Sequence, residues 1–542
     1  MSDHPQVPAP RDQEPPVAYA DRIGRWHLAR TAQSQRRELA QYLTPVRVAR
    51  FMASLCSPAA TGRLRVLDPG AGSGVLACAV CERVAAGRPR GLDLELEAYE
   101  ADPALAECLL ASLSHAKEWL LQRGATLHFA VRVDDFVMAH ADALEDAGGL
   151  LGARGKAPEA FDIVVCNPPY FKIPKSDPRA QAAASVVCGQ PNIYALFMAV
   201  SASLLRPMGK LVFITPRSYA AGPYFRRFRE RFFAMVRPEA IHLFESREAT
   251  FCRDEVLQEN VILCARREDG WARRPGRHQV MVSSSYGARD IEAPKQRVAQ
   301  LGQVLDLSGG DFVLRIPASE ADDLAARTVQ SWTGRLNHYG LRVSTGPIVA
   351  FRARALLAQR GCVPGPHAPL LWMHNIAAMK VRWPVAARSK SQYVAVRPES
   401  VGLLIPDGTY VLVRRFSAKE EPRRLVAAPL LAGTLRAPWI GLENHLNYIY
   451  RPGGFMTANE AWGLAVVLNS SLLDTYFRSI NGNTQVNAAE LMAMPLPPLA
   501  EIVEIGRRAS ERSAAVDDPA GIVEEVLGVP SNPEPGVEAA SV

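Results

Sequence analysis

No apolar run in this 542-residue sequence reaches the roughly 18 residues that a membrane-spanning helix needs, so no membrane partner is expected. The first twenty residues, rich in proline and polar side chains, lack the apolar stretch of a secretory signal. Cysteine is sparse: there are nine, an odd number, scattered, with Cys78, Cys166 and Cys264 set inside apolar runs. Such thiols read as reduced and exclude a disulfide framework, which points to the cytoplasm. Cys78 and Cys81 form a C-x-x-C pair, but no second pair follows at zinc-site spacing. The pair therefore reads as helix packing, and no metal centre is expected. Lysine is scarce beside arginine. The 62 basic residues exceed the 55 acidic ones, giving a net charge of +7. That balance suits a polyanionic partner without demonstrating one.

The hydrophobic pattern divides the chain into four segments. Residues 1–20 offer nothing to bury and are expected to be disordered. Residues 21–268 begin with helical periodicity, broken at Leu43-Thr44-Pro45, where Thr44 is expected to cap a new helix with Pro45 at its first position. Strands and helices then alternate. Leu64–Leu67, Leu94–Tyr99, Leu127–Val133, Asp162–Cys166 and Lys210–Thr215 read as strands, and Ile241–Phe244 and Val256–Cys264 as a terminal hairpin. This alternation predicts an α/β fold with a mostly parallel, doubly wound, Rossmann-like sheet. Residues 269–500 mix short β-like runs with Arg-rich loops and read as a second, mixed α/β domain. Residues 501–542 read as a helix and a mobile acidic tail.

Chemistry-bearing residues gather at the strand ends. Val66-Leu67-Asp68-Pro69-Gly70-Ala71-Gly72-Ser73-Gly74 places an acid at a strand end, then a Gly-rich turn, then a helix. Glycines let a backbone approach a ligand closely. A pyrophosphate would disfavour Asp68, whereas a cationic ligand such as the amino group of methionine would favour it. Glu100 ends the second strand, where a carboxylate can take both ribose hydroxyls of a nucleoside. Asp135, at the third strand's end, suits the amino group of a cofactor adenine, with Phe136 packed beside it. Three acids on successive strand ends point to a nucleoside-type cofactor bearing a positive charge.

Asn167-Pro168-Pro169-Tyr170 follows the fourth strand. An aromatic exocyclic amine is a poor nucleophile because its lone pair is delocalised into the ring. Two acceptors aimed at its N–H bonds out of plane change that. The Asn167 side-chain oxygen and the Pro168 carbonyl can supply them, and the prolines hold the carbonyl's direction. Tyr170 can stack on a planar base. Methyl transfer from a sulfonium is then a direct displacement that needs positioning above all.

Together these residues resemble the gamma-class amino-methyltransferases of DNA, over about residues 35–500. The resemblance implies S-adenosyl-L-methionine as cofactor and the N6 amine of adenine as target. Enzymes of the family that act on cytosine N4 usually carry Ser where Asn167 stands. Gln41-Tyr42-Leu43-Thr44-Pro45 matches the segment that closes over the methionine part of the cofactor, which gives Thr44 a binding role. Asn192-Ile193-Tyr194-Ala195-Leu196-Phe197 matches the helix whose Phe covers the cofactor adenine, so Phe197 inherits that role. Phe251 falls where the family sets an aromatic against the other face of the flipped base.

The C-terminal half is similar to the target-recognition domain of modification enzymes in type II restriction systems. The similar stretches are Arg414–Glu421, Gly441–His445 and Ser479–Val486. Arg414, Arg415, Lys419 and Arg478 are expected, as a group, to contact double-stranded DNA. A target adenine inside a duplex is reachable only by extrusion. Methyltransferases of glutamine amides in proteins and of guanine in ribosomal RNA share the Asn-Pro-Pro-Tyr signature. The more than 200 residues after the last strand favour DNA over both. A DNA-binding subunit with a decayed catalytic site is the remaining alternative. No acidic metal-binding nuclease cluster is evident in the sequence, so any cognate restriction endonuclease is expected to be a separate chain.

Overall fold

The computed structural model describes residues 6–31, 43–57, 62–146 save 88 and 90, 160–244 save 222, 260–306 save 274–276, and 312–358 save 316–319. It continues over 365–529, save 386–389, 418–420, 481–484 and 513–519. Two compact units follow one another, residues 1–318 and 319–542. The first ends well past the expected boundary at 268.

The first unit is built on a nine-stranded sheet. Its strands are β1 (Gly62–Asp68), β2 (Leu92–Tyr99), β3 (Ala125–Arg132), β4 (Phe161–Cys166), β5 (Leu205–Pro216), β6 (Val236–Phe244), β7 (Asn260–Arg267), β8 (Gln279–Ser285) and β9 (Lys295–Gln300), in the order β3-β2-β1-β4-β5-β7-β6-β8-β9. Strands β3 to β5 are mutually parallel, while β7 runs antiparallel to both β5 and β6. Successive residues of β4 serve opposite faces, as the pleat requires. Ile163 and Val165 pack with Val48 and Met52 of α2 (Val46–Cys56), Val80 of α3 (Val75–Ala86) and Leu113 of α4 (Pro103–Leu121). Val164 and Cys166 pack with Phe136 of α5 (Phe136–His140), Val200 of α6 (Ile193–Leu204) and Phe232 of α7 (Arg226–Met235). Burial on both faces explains why these strands read as unbroken apolar runs. The strand order reverses between β1 and β4, the place where open α/β sheets bind ligands.

Three expectations are corrected here. Residues 6–20 are ordered and form part of the core. Helix α1 (Pro16–Leu28) starts with Pro16 at its first position, and Glu82 Oε1 accepts from the Val17 N–H at 3.1 Å. Its Val17 and Ala20 join one sheet-face core, while Tyr19 and Ile23 pack with Leu105 and Cys108 of α4. Prolines that suggested disorder serve instead as helix-start residues. Thr44 does not cap α2, whose N-cap is Pro45 and carries no side-chain hydrogen bond. The hairpin of β6 and β7 exists but does not end the sheet, because β8 pairs parallel to β6 and β9 antiparallel to β8.

The second unit holds a four-stranded antiparallel sheet and a five-stranded mixed one. The first joins β10 (Arg342–Thr345), β15 (Tyr410–Arg414), β16 (Ala427–Leu430) and β18 (Leu446–Tyr450). The second joins β11 (Leu357–Ala358), β12 (His367–Leu371), β13 (Tyr393–Ala395), β14 (Leu404–Pro406) and β17 (Trp439–Leu442). Helix α8 (Ala458–Asn469) is followed by α9 (Ser471–Ile480) and crosses α10 (Leu499–Glu511) closely. A Cβ at Gly463 would stand 1.8 Å from the Ile502 carbonyl oxygen, and one at Gly506 1.8 Å from that of Asn459, so only glycine permits this crossing. Helix α10 buries Ile502, Ile505 and Ala509 within this unit, and the tail expected after it lies from 530 on outside the described residues.

Candidate active site

At the reversal point lies a cavity of about 210 Å³, lined from both sides of the β1/β4 crevice. Pro69, Gly70 and Gly72 border it from the turn after β1. Glu100 stands at the end of β2, Asp135 and Phe136 after β3, and Asn167, Pro168 and Pro169 after β4. Phe197 of α6 and Leu43 also line it. Of the residues expected at this site, Asp68, Thr44 and Tyr170 do not line the cavity: Asp68 directly precedes the lining Pro69, and Thr44 and Tyr170 hold Asn167, as described below. Phe251 and Lys419 lie outside the described residues.

Asp68 is fully buried, and neither carboxylate oxygen has a hydrogen-bond partner within bonding distance among the described residues. Burial pushes its pKa up to about 8; the N–H groups of Gly70 and Ala77 and the like charge of Glu100 are smaller influences. Burial likewise raises the Glu100 carboxyl, against the Asp102 and Gly72 N–H groups, each donating to one of its oxygens at 2.9 Å. Gly72 sits at φ +57°, in the left-handed region that glycine enters freely. A Cβ on Gly70 would lie 3.6 Å from the Phe197 ring, so a longer side chain there would grow into the cavity.

Asp135 is already partly engaged. Its Oδ1 accepts from the Met138 N–H at 3.0 Å and caps α5, and Arg179 approaches its Oδ2 at 3.6 Å. Phe136 packs 5.3 Å from Phe197 and 5.4 Å from Tyr99, forming an aromatic wall. Sequence reasoning missed Tyr99 and Arg179, both cavity-lining. Tyr99 directly precedes Glu100 and was within reach of the strand-end argument. Arg179 sits in the irregular stretch after Tyr170 and carried no signal.

Asn167 is held by two hydroxyls. Its Nδ2 donates to Thr44 Oγ1 at 3.1 Å, and its Oδ1 accepts from the Tyr170 hydroxyl at 2.6 Å. Thr44 is 5% exposed and braces the amide. Tyr170 is partly buried, with its ring edge-on to Tyr194 at 6.3 Å and its hydroxyl also 3.0 Å from the Ile214 carbonyl.

In the second unit, three expected DNA contacts donate to groups of their own unit. Arg414 Nε donates to the Ile376 carbonyl at 2.7 Å. Arg478 binds Asp474 at 2.7 Å and the carbonyls of Glu421 and Pro422. Arg415 donates to the Asn444 carbonyl and lies over the Phe416 ring.

The Eco57I restriction-modification methylase model matches residues 120–251. The type II methyltransferase M.BsuBI of Bacillus subtilis is 32% identical over 473 residues, covering 87% of this chain and 90% of that one. The chain belongs to this type II methyltransferase family. M.PstI of Providencia stuartii, another type II methyltransferase, is 29% identical over 476 residues, 88% of this chain and 90% of that one. Among solved structures, the DrdV–DNA complex aligns over 91% of this chain and 59% of that one, with a TM-score of 0.46 and 12% identity. Members of this type II methyltransferase family serve restriction-modification systems, and S-adenosyl-L-methionine is the cofactor. The residues present fit it. A buried carboxylate, Asp68, without a hydrogen-bond partner among the described residues suits the cofactor's positive charge, and the turn at Gly70 and Gly72 leaves room beside an aromatic wall. No helix among the described residues is long and apolar enough to cross a membrane.

Proposed function

We propose that this methyltransferase modifies the N6 amine of an adenine flipped out of duplex DNA, and that it protects DNA against a cognate endonuclease carried on a separate chain. The observation that supports this best is the Asn167 amide, held by Thr44 and Tyr170 at the edge of the cavity that Gly70, Glu100 and Phe197 line. Asn favours adenine over the cytosine N4 target, for which the family usually carries Ser.

In this reading Asp68, Glu100 and Asp135 take the cationic, ribose and adenine parts of the cofactor. Phe136 and Phe197 pack against its adenine, and Thr44 bears on its methionine end. When bound, S-adenosyl-L-methionine supplies an electrophilic sulfonium methyl. Asn167 Oδ1 and the Pro168 carbonyl accept the two N–H bonds of the target amine, turning its lone pair out of the ring plane toward the cavity. The partly exposed Tyr170 ring offers a face to the extruded base. The low-dielectric surroundings of Pro168 and Phe197 strengthen both hydrogen bonds.

Expression in a host free of DNA methylation, followed by single-molecule sequencing, tests the proposal. N6-methyladenine confined to one short motif is expected. N4-methylcytosine, or modification confined to RNA or protein, would overturn it. Failure of the purified protein to bind S-adenosyl-L-methionine would favour a decayed DNA-binding subunit.

A further inference from the structure

The second unit carries a basic, aromatic surface that the sequence did not single out. Phe351 is 76% exposed, yet it sits on an ordered turn, where the N–H groups of Arg352 and Ala353 donate to the Val349 carbonyl at 2.9 and 3.0 Å. The Arg352 guanidinium lies 5.4 Å from the Phe351 ring centroid. Arg352 and Arg354 are exposed and make no ion pair among the described residues, and residues 346–356 contain no acid. An isolated surface phenylalanine needs no explanation. One stacked under a guanidinium, with a second uncompensated guanidinium beside it, has the composition of a surface that stacks on bases and neutralises phosphates.

The same strip of backbone leads to a second set of cations. Ile348 N–H donates to the Leu442 carbonyl and Asn444 N–H to that of Ile348, which zips the Phe351 turn to the Asn444–His445 turn. There the exposed His445 ring lies 4.8 Å from Phe416, with Arg415 over the same aromatic. Glu443, 2% exposed, accepts from His445 Nδ1 at 2.5 Å and sets the direction of the imidazole's other nitrogen. Arg415 gives one donor to the Asn444 carbonyl, whereas Arg414 and Arg478 face an acid of their own unit as well as backbone carbonyls.

We propose that this face is where the second unit grips duplex DNA: Arg352, Arg354 and Arg415 on phosphates, His445 beside them, and Phe351 against a base. The proposal rests on the DNA reading given above and adds the residues that carry it.

Fluorescence anisotropy of the full chain with labelled duplexes, one bearing the methylated motif and one scrambled, tests it across a salt series. The Arg352→Gln/Arg354→Gln double variant should weaken both complexes about tenfold near 0.1 M salt. It should also lower the slope of log K against log salt by about two. Phe351→Ala should weaken the motif duplex with little change in slope. An unaltered thermal unfolding profile verifies the fold of each variant, and Arg352→Glu provides an independent surface change. Wild-type affinity and slope in all three variants would overturn this face as the DNA contact while leaving the DNA reading intact. A wild-type protein that binds no duplex would overturn both. Loss of binding only to a protein partner or to RNA would likewise overturn it.

Discussion

The Tyr170 hydroxyl has one proton and two acceptors, Asn167 Oδ1 at 2.6 Å and the Ile214 carbonyl at 3.0 Å. Donation to Asn167 occupies the oxygen that a target amine needs, whereas donation to Ile214 releases it. Tyr170→Phe keeps the ring and removes this choice, along with one hydrogen bond that orients the amide. Such a bond is worth about 0.5–1.5 kcal/mol, so the single-turnover methylation rate should fall by about tenfold or less. Tyr170→Ala also loses the stacking face and should be at least about tenfold slower still. Equal rates for the two variants would remove the ring from the mechanism.

Asn167→Ala should nearly abolish methylation while leaving cofactor affinity largely intact, because the amide acts on the acceptor amine. Calorimetric titration with S-adenosyl-L-methionine beside a methylation assay separates the two effects. A parallel loss of both would make Asn167 a structural residue. Thr44→Val removes the acceptor at Asn167 Nδ2 and should lower the rate more than it raises the KM for cofactor, with Thr44→Ser restoring most of the rate.

Cofactor affinity should depend on pH through Asp68. Its carboxyl, raised to about 8 by burial, is largely protonated at pH 6, and a cationic ligand favours the ionised form. Affinity should therefore rise from pH 6 to pH 8, with proton release visible as a dependence of binding heat on buffer. For the free protein the sign is opposite. The folded state holds this proton where the unfolded chain has lost it, so Asp68 costs stability increasingly as pH rises from about 4 to 8. Asp68→Asn should flatten both profiles; a pH-independent cofactor affinity in the wild type would refute the assignment.

Ile23→Ala in α1 removes a fully buried side chain from the cluster with Tyr19, Leu105 and Cys108. A loss of about 2–5 kcal/mol in denaturant unfolding is expected. A neutral result would show that the N-terminal helix contributes little.

The parallel strands were legible because burial on both faces writes them as apolar runs closed by turn residues, and the acids at their ends followed from that register. Strand β8 was not legible, since its buried Ser283 and Ser285 look like loop residues. They are buried because His242, neutral with its pKa lowered to about 4, bonds both at 2.9 and 3.0 Å. Thr44 carried two readings, cap and cofactor contact. Its bond to Asn167, 123 residues away in sequence, is a long-range relation that no local pattern encodes. The second unit was legible only as mixed, because several of its strands span two to four residues.

The pairing of β8 along Ala240–Phe244 also decides how the protein can be dissected. A catalytic fragment ending at 268, where the alternation of strands and helices fades, would leave one flank of β6 with bare N–H and C=O groups, inviting strand-to-strand aggregation. A fragment carried through β9 and the residues after it keeps that flank covered. The first is expected in inclusion bodies and the second in solution.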